Sequence, residues 1–407
     1  MESPDPICGG VPPLVASFVD TFVDYCVSGL FFPTNPNPNP NANPNPDPPP
    51  TRLPPAARLV AIGDLHGDLH KAREALSLAG LSEPSSSAAG ASRWCGGATV
   101  AVQVGDVLDR GGDEIRLLYL LHRLKLDAAR HGGALLTVLG NHEVMNVAGD
   151  FRYATPAGLD EFESWARWFR AGLAMKRLVP DLPPPRDPFR GVPRSFPGIK
   201  PEFWEGLTAR IAALRPEGPI SARFLAENHT VLVVGDSVFV HGGLLESHVE
   251  HGLETINEEV REWIRGARPR APAHVRGRDA VVWLRKFSED GEGKECDCTH
   301  LKDVLGRIPG TRRMVMGHTI QKQGITAACG EQAVRIDVGL SRGCGDGAPQ
   351  VLEIGSGGNA VRVLATEPAT VVGRWGVRRR EDEVAKEGLA MLVKESGTGL
   401  REVEATA

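Results

Sequence analysis

No basic residue occurs before Arg52, while Glu2, Asp5, Asp20 and Asp24 precede it. Organelle presequences are rich in arginine and poor in acids, so a cleaved transit peptide is disfavoured. An uncharged apolar run long enough to cross a bilayer is also missing. Residues 13–33 come nearest, but Asp20 and Asp24 interrupt them, at roughly 2.5–3.5 kcal/mol for each charge near a membrane centre. No transmembrane segment is expected. Positive charge is not in excess: the formal net charge is −5 and the pI is near 6.2. Global attraction to nucleic acid is therefore absent, and any phosphate must be held locally. Cysteine is sparse, and Cys8, Cys26, Cys95, Cys296, Cys298, Cys329 and Cys344 lack the density of a secreted disulfide scaffold. A reducing compartment is the expectation, and the Cys296/Cys298 pair keeps an oxidising one open. Cytosol fits these features, with the mitochondrial intermembrane space as the alternative.

What is present divides the 407 residues into four parts. Leu14, Val15, Phe18, Val19, Phe22, Val23 and Val27 recur at helical spacing and predict an amphipathic helix within residues 1–33, docked on a core. Residues 34–55 form an Asn/Pro-rich linker, because the near-alternation of Asn and Pro removes backbone donors. From 56 to 366 short apolar runs end in Gly-Asp, Gly-Asn or His and alternate with helix-period segments, the pattern of an α/β domain. Strands are predicted over 59–63, 99–105, 134–140, 230–235, 237–241, 313–317, 333–338 and 351–354. Residues 150–228 hold Pro-rich and helical pieces without strands and predict a helical insertion. The mixed-charge segment 367–407 reads as a tail.

Three motifs stand at strand ends. In Gly63-Asp64-Leu65-His66-Gly67-Asp68, residues two apart on an extended segment project to the same side, so Asp64 and His66 can chelate one cation. In Gly105-Asp106-Val107-Leu108-Asp109-Arg110-Gly111, the Asp106 carboxylate can bridge two cations roughly 3.5–4 Å apart. In Gly140-Asn141-His142-Glu143, adjacent side chains diverge, Asn141 toward a metal and His142 toward a leaving group. His241 and His318 each end a further apolar strand and fit metal ligands, though spacing alone does not assign them to one metal. A single Gly-Asp after a strand is an ordinary turn. Five such positions in one α/β domain are less easily chance, because ligands gather beyond the carboxyl ends of its strands. Mixed nitrogen and oxygen donors suit manganese, with iron or zinc as alternatives.

In order and spacing the three motifs resemble the phosphoprotein phosphatase family of the calcineurin-like metallophosphoesterases. The Asp109-Arg110-Gly111 ending narrows the likeness. Within that family the chain is most similar to the Shewanella-like protein phosphatases of the plant-type second group, through Phe151-Arg152-Tyr153, residues 211–216, residues 281–288 and Cys296-Asp297-Cys298, over about residues 14–365. The resemblance implies a central β-sandwich flanked by helices. It also implies a hydrolase that cleaves phosphomonoesters on protein side chains by in-line attack of a hydroxide activated between two metals. It assigns Asp64, His66 and Asp106 to one metal and Asp106, Asn141, His241 and His318 to the other. His142 becomes the proton donor oriented by Asp109, and Arg110 and Arg285 bind phosphate, with Arg342 as a rival for the second arginine. The implied partner is a phosphoprotein. The surfaces open to a regulatory partner are the N-terminal helix and Cys296/Cys298.

One departure concerns tyrosine. Tyr25, Tyr119 and Tyr153 are the chain's only three, and none follows His318, where the resemblance would place an active-site tyrosine. Poor binding of natural-toxin inhibitors is expected, and phosphotyrosine stays open beside phosphoserine and phosphothreonine. Free thiols are favoured for Cys296 and Cys298 over structural zinc, with a redox-sensitive pair between the two readings. Two other functions compete: a nucleotide or dinucleoside polyphosphate hydrolase on the same scaffold, and a non-catalytic binding module. Every ligand position holds a residue able to bind metal, which weighs against the second.

Overall fold

The computed structural model describes residues 6–32, 50–83, 93–289, 295–355 and 361–365, with side chains from residue 12 onward. The linker from 34 to 49, much of the Cys296 approach and the tail lie outside the described residues.

Strand β2 (Arg58–Ile62) shows why the molecule is layered. Leu59 and Ala61 alternate with Val60 and Ile62, and all four are buried, so both faces of the strand must be covered. β3 (Val100–Gln103) pairs parallel with β2, and β4 (Ala134–Thr137) pairs parallel with β3. On the other edge β10 (Gln350–Gly355) and β11 (Val361–Ala365) are antiparallel. The second sheet has the order β1 (Arg52–Leu53), β5 (Val231–Val234), β6 (Ser237–Val240), β7 (Arg313–Met316), β9 (Ala333–Arg335) and β8 (Thr326–Ala328). Leu59, Ala61 and Val102 meet Leu232, Phe239 and Val315 in one apolar cluster between the sheets. The alternate residues Val60, Ile62, Val238, Val240 and Met314 join the larger cluster beneath the helices. The result is a β-sandwich flanked by helices.

All eight predicted strands are present. β1, β8 and β11 are additional; β1 and β8 are only two and three residues long, and all three are partly exposed edge strands with little burial pattern to read. β1 also falls inside the segment read as a linker. Between β4 and β5 the chain is helical, with α5 (Pro156–Arg177) opened by the Thr155 hydroxyl accepting from Gly158 N–H and by Pro156, and α6 (Trp204–Leu214) packed against it.

Helix α1 (Pro6–Ser28) lies on α5. Val23 occupies the space a side chain at Gly172 would need, and Phe22 meets Trp168 edge-on at 5.9 Å. Asp24, one of the charges that argued against a membrane span, is buried and accepts from Tyr119 Oη at 2.7 Å and from both terminal nitrogens of Arg223 at 2.7 and 2.8 Å. Among the described residues no helix is long and apolar enough to cross a membrane.

His122 on α3 (Glu114–Arg130) packs between Phe32 and Phe224, at 5.7 and 5.4 Å. Burial, then Arg223, lower its pKa to about 4. An unfolded histidine takes its proton near 6.5, so the stabilisation is complete above that value and lost as pH falls from about 6.5 to 4, by at most about 3 kcal/mol. His122→Phe should flatten this acid limb, read as urea midpoints at pH 7 and pH 4.5.

Candidate metal centre

Five strands run toward one place. β2 leads into Asp64 and His66, β3 into Asp106, β4 into Asn141 and His142 at the start of α4 (Asn141–Ala148), β6 into His241 and β7 into His318. All seven side chains are buried. Two glycines make room for carboxylates: a Cβ on Gly140 would collide with Asp106 Oδ1, and one on Gly317 with Asp64 Oδ1. His66, Asp106, Asp109, Arg110 and His318 have φ of 42°, 54°, 67°, 62° and 67°. They are half of the ten non-glycine residues at positive φ among the described residues. Backbone strain of order 1–3 kcal/mol per residue is thus concentrated here.

Asp106 is the hub. Its Oδ2 lies 3.1 Å from His241 Nε2, 3.6 Å from His66 Nε2 and 3.8 Å from His142 Nε2, while Oδ1 accepts the His142 backbone N–H at 3.0 Å. His66 Nδ1 donates to Leu108 O at 3.0 Å and His241 Nδ1 to Val104 O at 2.9 Å, which turns both Nε2 lone pairs inward. Asn141 Oδ1 stands 3.0 Å from His241 Nε2. Asp64 Oδ2 accepts His318 N–H at 3.1 Å. Two donor groups, His66 with Asp106 and His142, and Asp106 with His241 and His318, each fall within 4.8 Å and share Asp106.

The electrostatics fit cations. Burial, then Asp337 and Asp106, raise the Asp64 pKa well above the carboxylate range. Burial drives His66 to about 3, and burial with His241 drives His318 to about 2. Burial opposes ionisation of Asp106 as well, but His241, His142 and His66 outweigh it and hold its pKa well below the usual value. His318 Nε2 is buried without a hydrogen-bond partner. Crowded carboxylates, neutral imidazoles and an orphaned ring nitrogen are a donor set that positive ions would complete.

His142 Nδ1 donates to Asp109 Oδ2 at 2.7 Å. Burial lowers the His142 pKa, but Asp106 and Asp109 prevail and raise it. Arg110 Nε is buried without a partner, and its guanidinium lies 4.9 Å from the Tyr153 ring. Arg285 Nη1 donates to His318 O at 3.1 Å and Thr319 Oγ1 at 2.9 Å, on the exposed lip of the site. Arg342 instead grips Asp68 at 2.9 and 3.1 Å, the surface ion pair that competed with a phosphate role.

Several residues escaped the motif reading. Glu143 accepts from the backbone N–H groups of Asp106, Val107, Leu108 and Gly140 and so braces two motifs at once. Its place three residues after the glycine that opens α4 was the available signal. Asn146, Glu114, Arg210 and Asp337 gave none. Tyr153 packs 4.9 Å from the His142 ring, so a tyrosine does line the site, reaching it from the insertion rather than from beyond His318. The expectation of free thiols is corrected at Cys298, which bonds to Cys329, 31 residues on, and the intermediate reading of a Cys296/Cys298 pair gives way with it: Cys296 lies beside that bond with its thiol toward Phe287 O. Spacing along the chain carries no signal for this bond, whereas the fold places the β8–β9 turn against the start of α9 (Cys298–Gly306).

Fold and site together define a metallophosphoesterase. Residues 57–321 match the calcineurin-like phosphoesterase family. The chain is 55% identical over 369 residues to Shewanella-like protein phosphatase 2 of Arabidopsis thaliana, covering 90% of this chain and 91% of that one. It is 29% identical over 287 residues to an uncharacterized protein of Schizosaccharomyces pombe, covering 69% and 72%. In fold it is similar to the structure of a cold-active protein tyrosine phosphatase, with a TM-score of 0.53, 17% identity and coverage of 78% and 81%. The chain belongs to the Shewanella-like protein phosphatases within the calcineurin-like phosphoesterase family. Family membership makes it a hydrolase that uses divalent metal ions.

Metal binding should be visible without any assay of turnover. Metal-stripped protein is expected to gain thermal stability on titration with Mn2+, by about 2.7 kcal/mol at a hundredfold excess over Kd. Asp106→Asn and His241→Ala should each abolish most of that gain while remaining folded by circular dichroism.

Proposed function

We propose that this chain removes phosphate from protein side chains, on serine or threonine with tyrosine as a further substrate, through a two-metal centre. The observation that carries the reading is the Asp106 carboxylate, whose Oδ2 faces His241 Nε2 at 3.1 Å on one side and His66 Nε2 at 3.6 Å on the other. Asp64, His66 and Asp106 would hold one ion, and Asp106, Asn141, His241 and His318 the second. Bound there, such ions, with manganese suiting the donors and iron or zinc as alternatives, supply neutralisation of phosphoryl charge and an acidified water.

The chain's own groups do the rest. Arg110, with an unpartnered Nε, and Arg285 on the lip hold phosphate oxygens through charge-assisted hydrogen bonds. Asp109 keeps the His142 ring with Nδ1–H outward, which leaves Nε2 to carry the proton that the leaving oxygen takes. The phosphoprotein docks over this face, where the insertion brings Tyr153 against Arg110 and His142. A regulatory partner would act through α1, whose Phe18 and Tyr25 are 65% and 55% exposed, or through the Cys296 region. Of the two compartments considered, cytosol and mitochondrial intermembrane space, the Cys298–Cys329 bond favours the second, since disulfides persist where the surroundings oxidise.

The test is hydrolysis of matched phosphoserine, phosphothreonine and phosphotyrosine peptides by metal-stripped protein, with and without Mn2+. Turnover should return with the metal and vanish in Asp106→Asn. His142→Asn should lower kcat by about 100-fold or more with KM little changed. Folded, metal-loaded protein that leaves every peptide intact but cleaves dinucleoside polyphosphates would overturn the proposal.

A further inference from the structure

Helix α6 of the insertion carries an arginine that solvent does not reach. Arg210 is 0% exposed, and an unpaired guanidinium at such a place would cost several kcal/mol. Its nitrogens are paired instead. Nε donates to Asn146 Oδ1 at 2.8 Å, Nη1 to Glu114 Oε1 at 2.7 Å, and Nη2 to both Glu114 Oε2 and Asp109 Oδ1 at 2.7 Å. The cation also lies over the Phe162 ring, 4.7 Å from its centre.

These partners surround one carboxylate. Asp109 Oδ1 is taken by Arg210, while Oδ2 accepts His142 Nδ1 at 2.7 Å and Asn146 Nδ2 at 2.9 Å. Glu114 Oε2 also accepts the Asp109 backbone N–H at 2.7 Å, at a residue whose φ is 67°. Asn146 Nδ2 returns to the His142 carbonyl at 2.8 Å. Glu114 has no slack: side chains at Gly67 or Gly158 would collide with it.

We propose that Arg210, anchored by Glu114 and Asn146, is a positioning residue for the proton donor, fixing the plane of the Asp109 carboxylate and through it the ring of His142. The inference rests on His142 giving its proton to the leaving oxygen as the phosphorus–oxygen bond breaks and its electron pair passes to that oxygen. It gives the insertion a part in catalysis, since the geometry of a dyad built on β3 and β4 is held from a helix 101 residues beyond Asp109. A lysine cannot replace the arginine here, because a point charge with three donors cannot span four acceptor oxygens on three side chains.

The test compares leaving groups on the manganese-loaded full chain. Dinitrophenolate departs without a proton, whereas the alkoxide of a phosphoserine peptide needs one. Arg210→Lys should lower kcat on the phosphoserine peptide by about 30- to 100-fold, a partial loss of the roughly 100- to 10,000-fold that general acids contribute. On 2,4-dinitrophenyl phosphate the loss should stay within about 3-fold, with KM and bound manganese unchanged. His142→Asn should show the same selectivity. Glu114→Gln, which keeps size and one acceptor, should show it in weaker form and serves if Arg210→Lys does not fold. Equal losses on both substrates in a folded, metal-loaded variant would overturn the positioning role, and so would failure of both variants to fold, which would reassign the network to the scaffold. Absence of selectivity in His142→Asn would instead overturn the proton-donor reading on which the inference stands.

Discussion

A carboxylate at the bottom of a dry pocket must be surrounded by positive charge or lose its own, and most of this molecule's local structure answers that demand at Asp106. Burial alone would protonate it. Three imidazoles face its Oδ2, and the His142 backbone N–H meets Oδ1. Glu143, a second buried carboxylate, is tolerated because four backbone N–H groups point at it. The glycines and left-handed residues around the centre follow from the same crowding: at Gly140 and Gly317 a carboxylate stands where a Cβ would be.

Around that centre the insertion forms a second layer of control. Arg210 donates to Asp109 and Glu114 together, so neither buried carboxylate is left without a cationic partner. Tyr153 reaches the same site from the start of the insertion and lies against both the proposed phosphate arginine and the proposed proton donor. The segment that caps the sheet therefore also lines the site beneath it. At the opposite end of α5, the Asp24 contacts with Arg223 and Tyr119 fasten α1 to the domain, so the N-terminal helix spends its charge on docking and leaves Phe18 and Tyr25 in solvent.

The cysteines show a different kind of dependence. Free thiols were expected at Cys296 and Cys298, yet Cys298 bonds to Cys329, and Cys296 stands outside that bond. Before the cysteines, Arg285 reaches the His318 carbonyl at 3.1 Å.

What the sequence determined by itself is everything that depends on short range. Short apolar runs, several of them ending in Gly-Asp, Gly-Asn or His, marked eight strands. Residues one or two apart at strand ends picked out candidate donors that the fold brings together, because side-chain direction on an extended segment follows directly from chain position. What only the tertiary structure decided are the partnerships between distant segments. Arg210 with Asp109, Tyr153 with His142, Asp337 with Asp64 and Cys298 with Cys329 join residues carrying no mutual spacing signal, since loop closure over tens of residues leaves no periodicity in the chain. Local geometry names the groups that can react; the packing of helices on the sandwich decides which of them hold the others in place.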